Sequence, residues 1–145
     1  MRRWWAALLL CLLLGGCAAR PAANTTDAVT DTTDRADAVT VALDGAVWDG
    51  APVPGEDDLR VYVTLDGVPL IDLPFGQPHT VTVTQPDGAE NTVALTGEAV
   101  YMAHANCDNQ DCVEMGEVTR DNLELRVMGG FIICLPHKLA VEVRQ

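Results

Sequence analysis

The sequence predicts an all-β domain, a small antiparallel barrel or sandwich of six or seven short strands, preceded by a signal peptide and a disordered tether. Three observations predict it. After Asp58 apolar and polar side chains alternate with a period of two, residues that favour tight turns separate these runs, and no segment of useful length has the helical period of about 3.6. Short strands with one apolar face pack as a sandwich or close into a barrel.

The first predicted hairpin occupies residues 59–73. Residues 59–65 alternate apolar with polar side chains, and residues 68–73 form the returning strand. Between them, Asp66-Gly67 supplies the residue types that a type I′ turn requires.

The second predicted hairpin follows directly. Its strands are His79–Thr84 and Asn91–Leu95, and the sequence Gln85-Pro86-Asp87-Gly88 between them favours a turn. The remaining predicted strands are Ala99–Ala103, Phe131–Leu135 and Lys138–Val143, with one helical turn at Asp111–Met115.

The N-terminus predicts a bacterial lipoprotein signal in residues 1–16. A short basic start is followed by the 11-residue apolar run Trp4–Leu14 and by the small-residue box Leu14-Gly15-Gly16-Cys17. The run is shorter than the about 20 residues of a membrane-spanning helix. We therefore expect cleavage before Cys17 and acylation of its thiol with chains such as palmitate, which anchors the protein through membrane lipid.

Residues 17–58 are predicted to be the acylated cysteine and a flexible linker rich in Ala, Thr and Asp. Large apolar side chains are too few here to offset the entropy of ordering the chain. Val39–Leu43 alternates as a strand does, so the sequence leaves open whether this patch belongs to the domain at residues 59–145 or to the linker.

The charge of the chain limits its partners. The formal net charge is −12, and removal of the leader with Arg2 and Arg3 would make it −14. Nucleic acid is excluded as an expected partner, because phosphate binding depends on clustered basic residues. Adsorption on anionic lipid is opposed as well, so we expect attachment at the extracytoplasmic face of the cell membrane through the acyl chains alone.

Residues near the C-terminus carry a family resemblance. The segment from Cys107 to Gly116 has the pattern Cys-x4-Cys-Val-x-x-Gly, and residues 132–139 read Ile-Ile-Cys-Leu-Pro-His-Lys-Leu. Together they resemble the signature of the NusG domain II family, over about Leu59 to Val143. The resemblance implies a small β-barrel-like fold, an exported or membrane-anchored module without an established activity, and relatives that occur beside exported flavin and electron-transfer components. Residues 122–130 make the segment between the second and third cysteines several residues longer than the family pattern.

No catalytic or cofactor motif accompanies this signature. The sequence contains no G-x-S-x-G, H-E-x-x-H, phosphate loop or G-x-G-x-x-G. We therefore predict a protein that is not an enzyme and has no cofactor, with an envelope protein as a possible partner.

The cysteines support three interpretations. Cys11 leaves with the leader and Cys17 carries lipid, so Cys107, Cys112 and Cys134 remain. They form a structural disulfide, a thiol-redox site, or a tetrahedral zinc site in which His137 is the fourth ligand. A bridge from the loop to Cys134 closes the longer ring and so stabilises more, which predicts that Cys134 pairs with Cys107 or Cys112.

The function expected from the sequence is that of a membrane-anchored extracytoplasmic lipoprotein. Its small β domain would be a non-catalytic accessory or binding module, stabilised by the cysteine cluster. The alternatives are a thiol-redox or electron-transfer accessory at the membrane surface and a zinc-binding module with three cysteines and His137.

Overall fold

The computed structural model describes residues 38–145. The predicted signal peptide and the acylation site Cys17 lie outside these residues. Ten strands and one short helix form the described part. The strands are β1 (Thr40–Leu43), β2 (Ala46–Val47), β3 (Arg60–Leu65), β4 (Val68–Pro74), β5 (Pro78–Thr84), β6 (Glu90–Thr96), β7 (Ala99–Ala105), β8 (Val118–Thr119), β9 (Phe131–Cys134) and β10 (Leu139–Arg144), and the helix is α1 (Asp111–Glu114).

Two antiparallel sheets enclose one hydrophobic core. The larger sheet has the order β2-β1-β5-β6-β7-β8, and the smaller has the order β4-β3-β10-β9. Side chains from both sheets share a single cluster of buried apolar residues. The prediction of an all-β antiparallel domain is confirmed, and within residues 38–145 the sheets remain two separate layers and do not close into a barrel.

The hairpin of β3 and β4 shows why these residues form strands. Val61 and Val63 are fully buried, whereas the polar residues of β3 that alternate with them face outward. At the turn, Asp66 and Gly67 have φ angles of 49° and 79°. A type I′ turn needs a positive φ at both central residues, and its twist matches that of the strands it joins.

The larger sheet begins inside the segment predicted to be a linker. β1 pairs antiparallel with β5, with Thr40 opposite Thr84, and β2 folds back onto β1. The open question about Val39–Leu43 is therefore settled in favour of a strand. The β1–β2 hairpin (residues 40–47) lies inside the stretch that its composition assigns to a linker, because β5 offers it an unpaired edge and Val41 and Leu43 pack against the core.

Two short strands, β2 and β8, were absent from the sequence-based prediction. β8 has only two residues, and it extends the larger sheet by pairing with the start of β7. The segment 120–130 then crosses from β8 to β9 in a series of turns. Gly130 fits there because a Cβ atom would lie 2.2 Å from the carbonyl oxygen of Val143.

The register places the connections at two opposite ends of the molecule. At the first, which we call the cluster end, the β9–β10 turn lies beside the β3–β4 turn, since Asp66 N donates to Lys138 O. Gln85 in the β5–β6 turn donates to His137 O at the same end. At the second, the loop end, segment 120–130 lies beside the ends of β3 and β10.

Candidate functional site

Three cysteines from three different elements meet in the core near the cluster end. Cys107 follows β7, Cys112 lies in α1 and Cys134 is the last residue of β9. Their exposed fractions are 6%, 2% and 1%. The segment that carries Cys107 and Cys112 is thereby packed against the edge strand of the smaller sheet.

The three sulfur atoms are close enough to act together. All of them lie within 4.8 Å of one another, and the Sγ atoms of Cys107 and Cys112 are 3.7 Å apart. Each sulfur therefore has both of the others as near neighbours.

Burial controls the protonation of the Cys112 thiol. Loss of solvent raises the pKa of Cys112 to about 12, and hydrogen bonds to Cys134 and Cys107 add to the increase. The charged thiolate is disfavoured in a nonpolar environment that lacks a compensating positive charge. Without a cation nearby, this thiol is therefore neutral and a weak nucleophile at neutral pH.

Gln110 fixes the chain between the first two cysteines. Its side-chain amide nitrogen donates to the carbonyl oxygens of Ala105 and Cys107, at 2.6 and 2.5 Å, and lies 3.9 Å from Cys107 Sγ. Its backbone is left-handed, with φ of 55°. The conformation turns the chain into α1 and holds one N–H group beside a sulfur atom.

His137 has a different partner from the one that the zinc interpretation assigns to it. Its Nδ1 is 2.8 Å from Oδ1 of Asn91, which is fully buried, and its carbonyl oxygen accepts from Gln85. The group of mutually close metal-ligating atoms in residues 38–145 contains the three cysteines and not His137. The histidine thus holds the β9–β10 turn to the larger sheet.

The predicted disulfide remains a prediction. In the structure Cys107, Cys112 and Cys134 are all free thiols. A disulfide needs an S–S distance of about 2.05 Å, so a pair at 3.7 Å would have to move closer. Cys134 Sγ lies within 4.8 Å of the sulfur atoms of both predicted partners, Cys107 and Cys112, so the distances do not choose between the two pairings.

The sequence analysis did not identify three polar residues that position this site. Gln85, Asn91 and Gln110 all make side-chain hydrogen bonds that fix the connections around the cysteines. Asn91 was assigned to a strand, and its place in the inward register of β6 was the signal that it is buried. The glutamines carried no comparable signal, because their partners are distant in sequence or are backbone atoms.

Across residues 38–145 no helix has both the length and the apolar character needed to cross a bilayer.

Comparison with known proteins identifies the family. The family model described as NusG domain II matches residues 51–145, well over half of the chain, so the chain belongs to the NusG domain II family. No curated protein matches this chain.

Solved structures share the fold. The Lin0431 protein of Listeria innocua is 23% identical with a TM-score of 0.52, and the match covers 61% of this chain and 98% of that one. A DUF1312 family protein (EF3258) of Enterococcus faecalis V583 is 21% identical with a TM-score of 0.51, covering 59% of this chain and 95% of that one. At these identities the likeness concerns the fold alone.

Proposed function

We propose that this member of the NusG domain II family is a lipoprotein at the extracytoplasmic face of the cell membrane. Its β domain is a non-catalytic accessory or binding module, and the cysteine cluster stabilises it. The observation that carries the role of the cluster is that three buried thiols lie within 4.8 Å of one another.

The position of the cluster supports a stabilising role. Cys107 and Cys112 belong to the connection after β7, which has little regular structure beyond a four-residue helix. Cys134 belongs to a sheet edge. A small domain buries a modest share of its surface on folding, so a linkage between such distant segments adds a large fraction of its stability.

The non-catalytic role is supported by the polar groups of the core. Among residues 38–145 the buried polar residue is Asn91, and its hydrogen bonds go to structural partners, His137 and Met102. General acid–base or nucleophilic catalysis needs a titratable pair within hydrogen-bond reach of a substrate. The described core offers the thiols alone for such chemistry.

The anchor is proposed from the leader and from Cys17. Cys17→Ser removes the thiol that receives the lipid, so we expect the variant to stay unprocessed or to be released from the membrane. Membrane fractionation with an intact-mass measurement tests this. Cys11→Ser is the matched control, because Cys11 leaves with the leader and the variant should remain anchored. Normal cleavage of Cys17→Ser with full retention at the membrane would contradict the proposal.

A second candidate is a thiol-redox accessory, and the third thiol favours it. An external disulfide could oxidise the thiols of Cys112 and Cys134 to a bridge. It would itself be reduced to two thiols, which take up the two protons that Cys112 and Cys134 lose. The thiolate of Cys107 could then attack Cys112 Sγ, forming the second bridge and releasing Cys134 as thiolate. Counting free thiols in protein taken from the envelope tests this: two bonded cysteines favour the redox candidate, and three free thiols exclude it.

A further inference from the structure

We propose that, in the reduced protein, Cys107, Cys112 and Cys134 bind one thiophilic d10 cation, Zn²⁺ or Cu⁺, through three sulfur atoms and without His137. The proposal names the ligand of the cluster that the proposed function makes the stabilising element. It rests on that function only for the role of the cluster and is independent of the anchor.

The distances suit a metal thiolate better than a bridge. Two thiolates at about 2.3 Å from a tetrahedral Zn²⁺ lie about 3.8 Å apart. The 3.7 Å between Cys107 and Cys112 matches that separation. Because the three sulfurs lie within 4.8 Å of one another, a point exists that is within about 2.8 Å of each of them. If each sulfur moved roughly half an ångström toward that point, all three would reach the sulfur–zinc distance of about 2.3 Å.

The number of thiols also favours an ion. A disulfide uses two sulfurs and leaves the third buried beside it, whereas one cation uses all three. Soft thiolate ligands select Cu⁺ and Zn²⁺ over hard cations such as Mg²⁺ and Ca²⁺. The three cysteines are each at least 94% buried, which excludes the solvated oxygen ligands that hard cations require.

In residues 38–145 no charged group is hydrogen bonded to the sulfurs. The hydrogen bonds at the sulfurs there join Cys107 to Cys112 and the amide of Gln110 to Cys107. An N–H group held near a ligand sulfur orients it and stabilises its negative charge. Since this amide is neutral, the cation itself would supply the positive charge that three buried thiolates need.

The coordination number distinguishes the two ions. Cu⁺ is satisfied by three thiolates, whereas Zn²⁺ takes a fourth ligand. Nδ1 of His137 is 2.8 Å from Asn91, and the close group of ligand atoms in residues 38–145 contains sulfur alone. Zn²⁺ would therefore lack a fourth ligand within this buried group, whereas Cu⁺ would need none.

Metal titration of the full chain tests the proposal. The protein carries Cys11→Ser and Cys17→Ser, so that the three clustered thiols are the remaining ones, and it is kept reduced in detergent. Zn²⁺ and Cu⁺ are added in separate arms against a competing chelator. Binding of one ion per chain in either arm supports the proposal, and Co²⁺ substitution reports thiolate ligation through its sulfur-to-metal absorption.

Variants identify the ligands. Cys107→Ser and Cys112→Ser each remove a ligand, so binding should weaken by more than the about 10–100-fold that loss of a residue hydrogen bonded to a ligand costs. Gln110→Ala should weaken it by about 10-fold, and His137→Gln is the matched control that should leave it unchanged. Cys107 is the most exposed of the three cysteines, so its replacement by serine should disturb the fold least. Far-UV circular dichroism tests whether each variant is folded.

Three results would overturn the metal site: no stoichiometric binding in either arm, binding retained by both serine variants, or binding lost in folded His137→Gln. A disulfide between any two of the three clustered cysteines, found in protein isolated without reductant, would also overturn the proposal of a metal site for the native protein. These outcomes are separable from those of the anchor, since the titrated chain carries Cys17→Ser, and fractionation of the chain with Cys17 intact tests the anchor alone.

Discussion

The two ends of the sandwich satisfy their polar groups in different ways. At the cluster end, buried side chains form the hydrogen bonds. Asn91 is fully buried and is hydrogen bonded to His137 in the β9–β10 turn, and the three thiols are buried near this turn. At the loop end, one half-buried arginine holds the backbone while apolar side chains face solvent. Leu125 is 83% exposed and Val127 fully so.

The difference indicates separate sources of order. Arg126 donates to the carbonyl oxygens of Met115, Glu117, Gly129 and Phe131, at 3.2, 2.7, 3.1 and 3.4 Å. The loop end is therefore ordered by hydrogen bonds to a solvent-accessible group, whereas the cluster end depends on complete burial. Loss of a buried partner costs more than loss of one that water can replace, so the cluster end should be the more sensitive to mutation.

The largest expected effect compares two asparagines. Asn91→Ala leaves His137 Nδ1 without its partner and opens space in the core, so we expect a loss of about 2–3 kcal/mol in the free energy of unfolding. Asn122→Ala at the loop end removes contacts to Thr119 N and Glu117 O from a half-buried site and should cost about 1 kcal/mol. Urea unfolding measures both, and equal losses would contradict the comparison.

A smaller effect is expected from Arg126→Ala. Four carbonyl oxygens lose their donor, but water can replace it, so the global loss should be about 1 kcal/mol. Amide hydrogen exchange should accelerate in residues 122–131 and stay unchanged around Cys134. Arg126→Lys should restore little, because one ammonium group lacks the planar fork of a guanidinium. Faster exchange at the cluster end would show that the two ends are coupled.

The acid dependence of stability should come from the loop end. Arg120 forms ion pairs with Asp57 and Asp58, and its hydrogen bond holds the pKa of Asp57 at about 2, below the usual 3.8. A lowered folded-state pKa stabilises above pH 4, and this contribution is lost as the pH falls through about 2. Arg120→Gln should therefore flatten the decline in the urea midpoint between pH 4 and 2.

Lys138→Gln is the matched control for that measurement. Its pair with Asp66 at the cluster end is 3.6 Å long and both side chains are about 70% exposed, so it should contribute almost nothing. An equal flattening in Lys138→Gln would assign the acid dependence to overall charge and not to the Asp57 pair.

The smallest effect is expected where both ends expose apolar side chains. Val127→Ser at the loop end and Leu135→Ser at the cluster end should each change the free energy of unfolding by less than about 0.5 kcal/mol. Thermal unfolding of the two variants measures this. A large loss in either one would show that its side chain is buried in solution.

Much of the fold followed from local sequence. Alternating valines placed β3 and β5 within a residue of their observed limits, and Asp66-Gly67 placed the first turn. The short strand β8 could not be predicted, because two residues carry no periodic pattern and their pairing depends on β7. β1 was ambiguous because it also depends on pairing with another strand, and that strand lies about 40 residues away.

The candidate site was predicted in part. The spacing of Cys107, Cys112 and Cys134 indicated a cluster, and the structure brings all three sulfurs together. The role of His137 differed from the zinc interpretation, because its turn directs Nδ1 toward Asn91, a residue 46 positions away. Gln110 was missed, since its hydrogen bonds to backbone oxygens leave no trace in the sequence pattern.

By itself the sequence determined the all-β class, most of the strands, the family and the set of three thiols, because alternation, turn residues and cysteine spacing are local properties. Tertiary structure alone decided that β1 joins the larger sheet, that the three thiols meet in the core, and that His137 binds Asn91. These outcomes depend on which distant segments pack together, and that choice is made by burial and hydrogen bonding across the whole core.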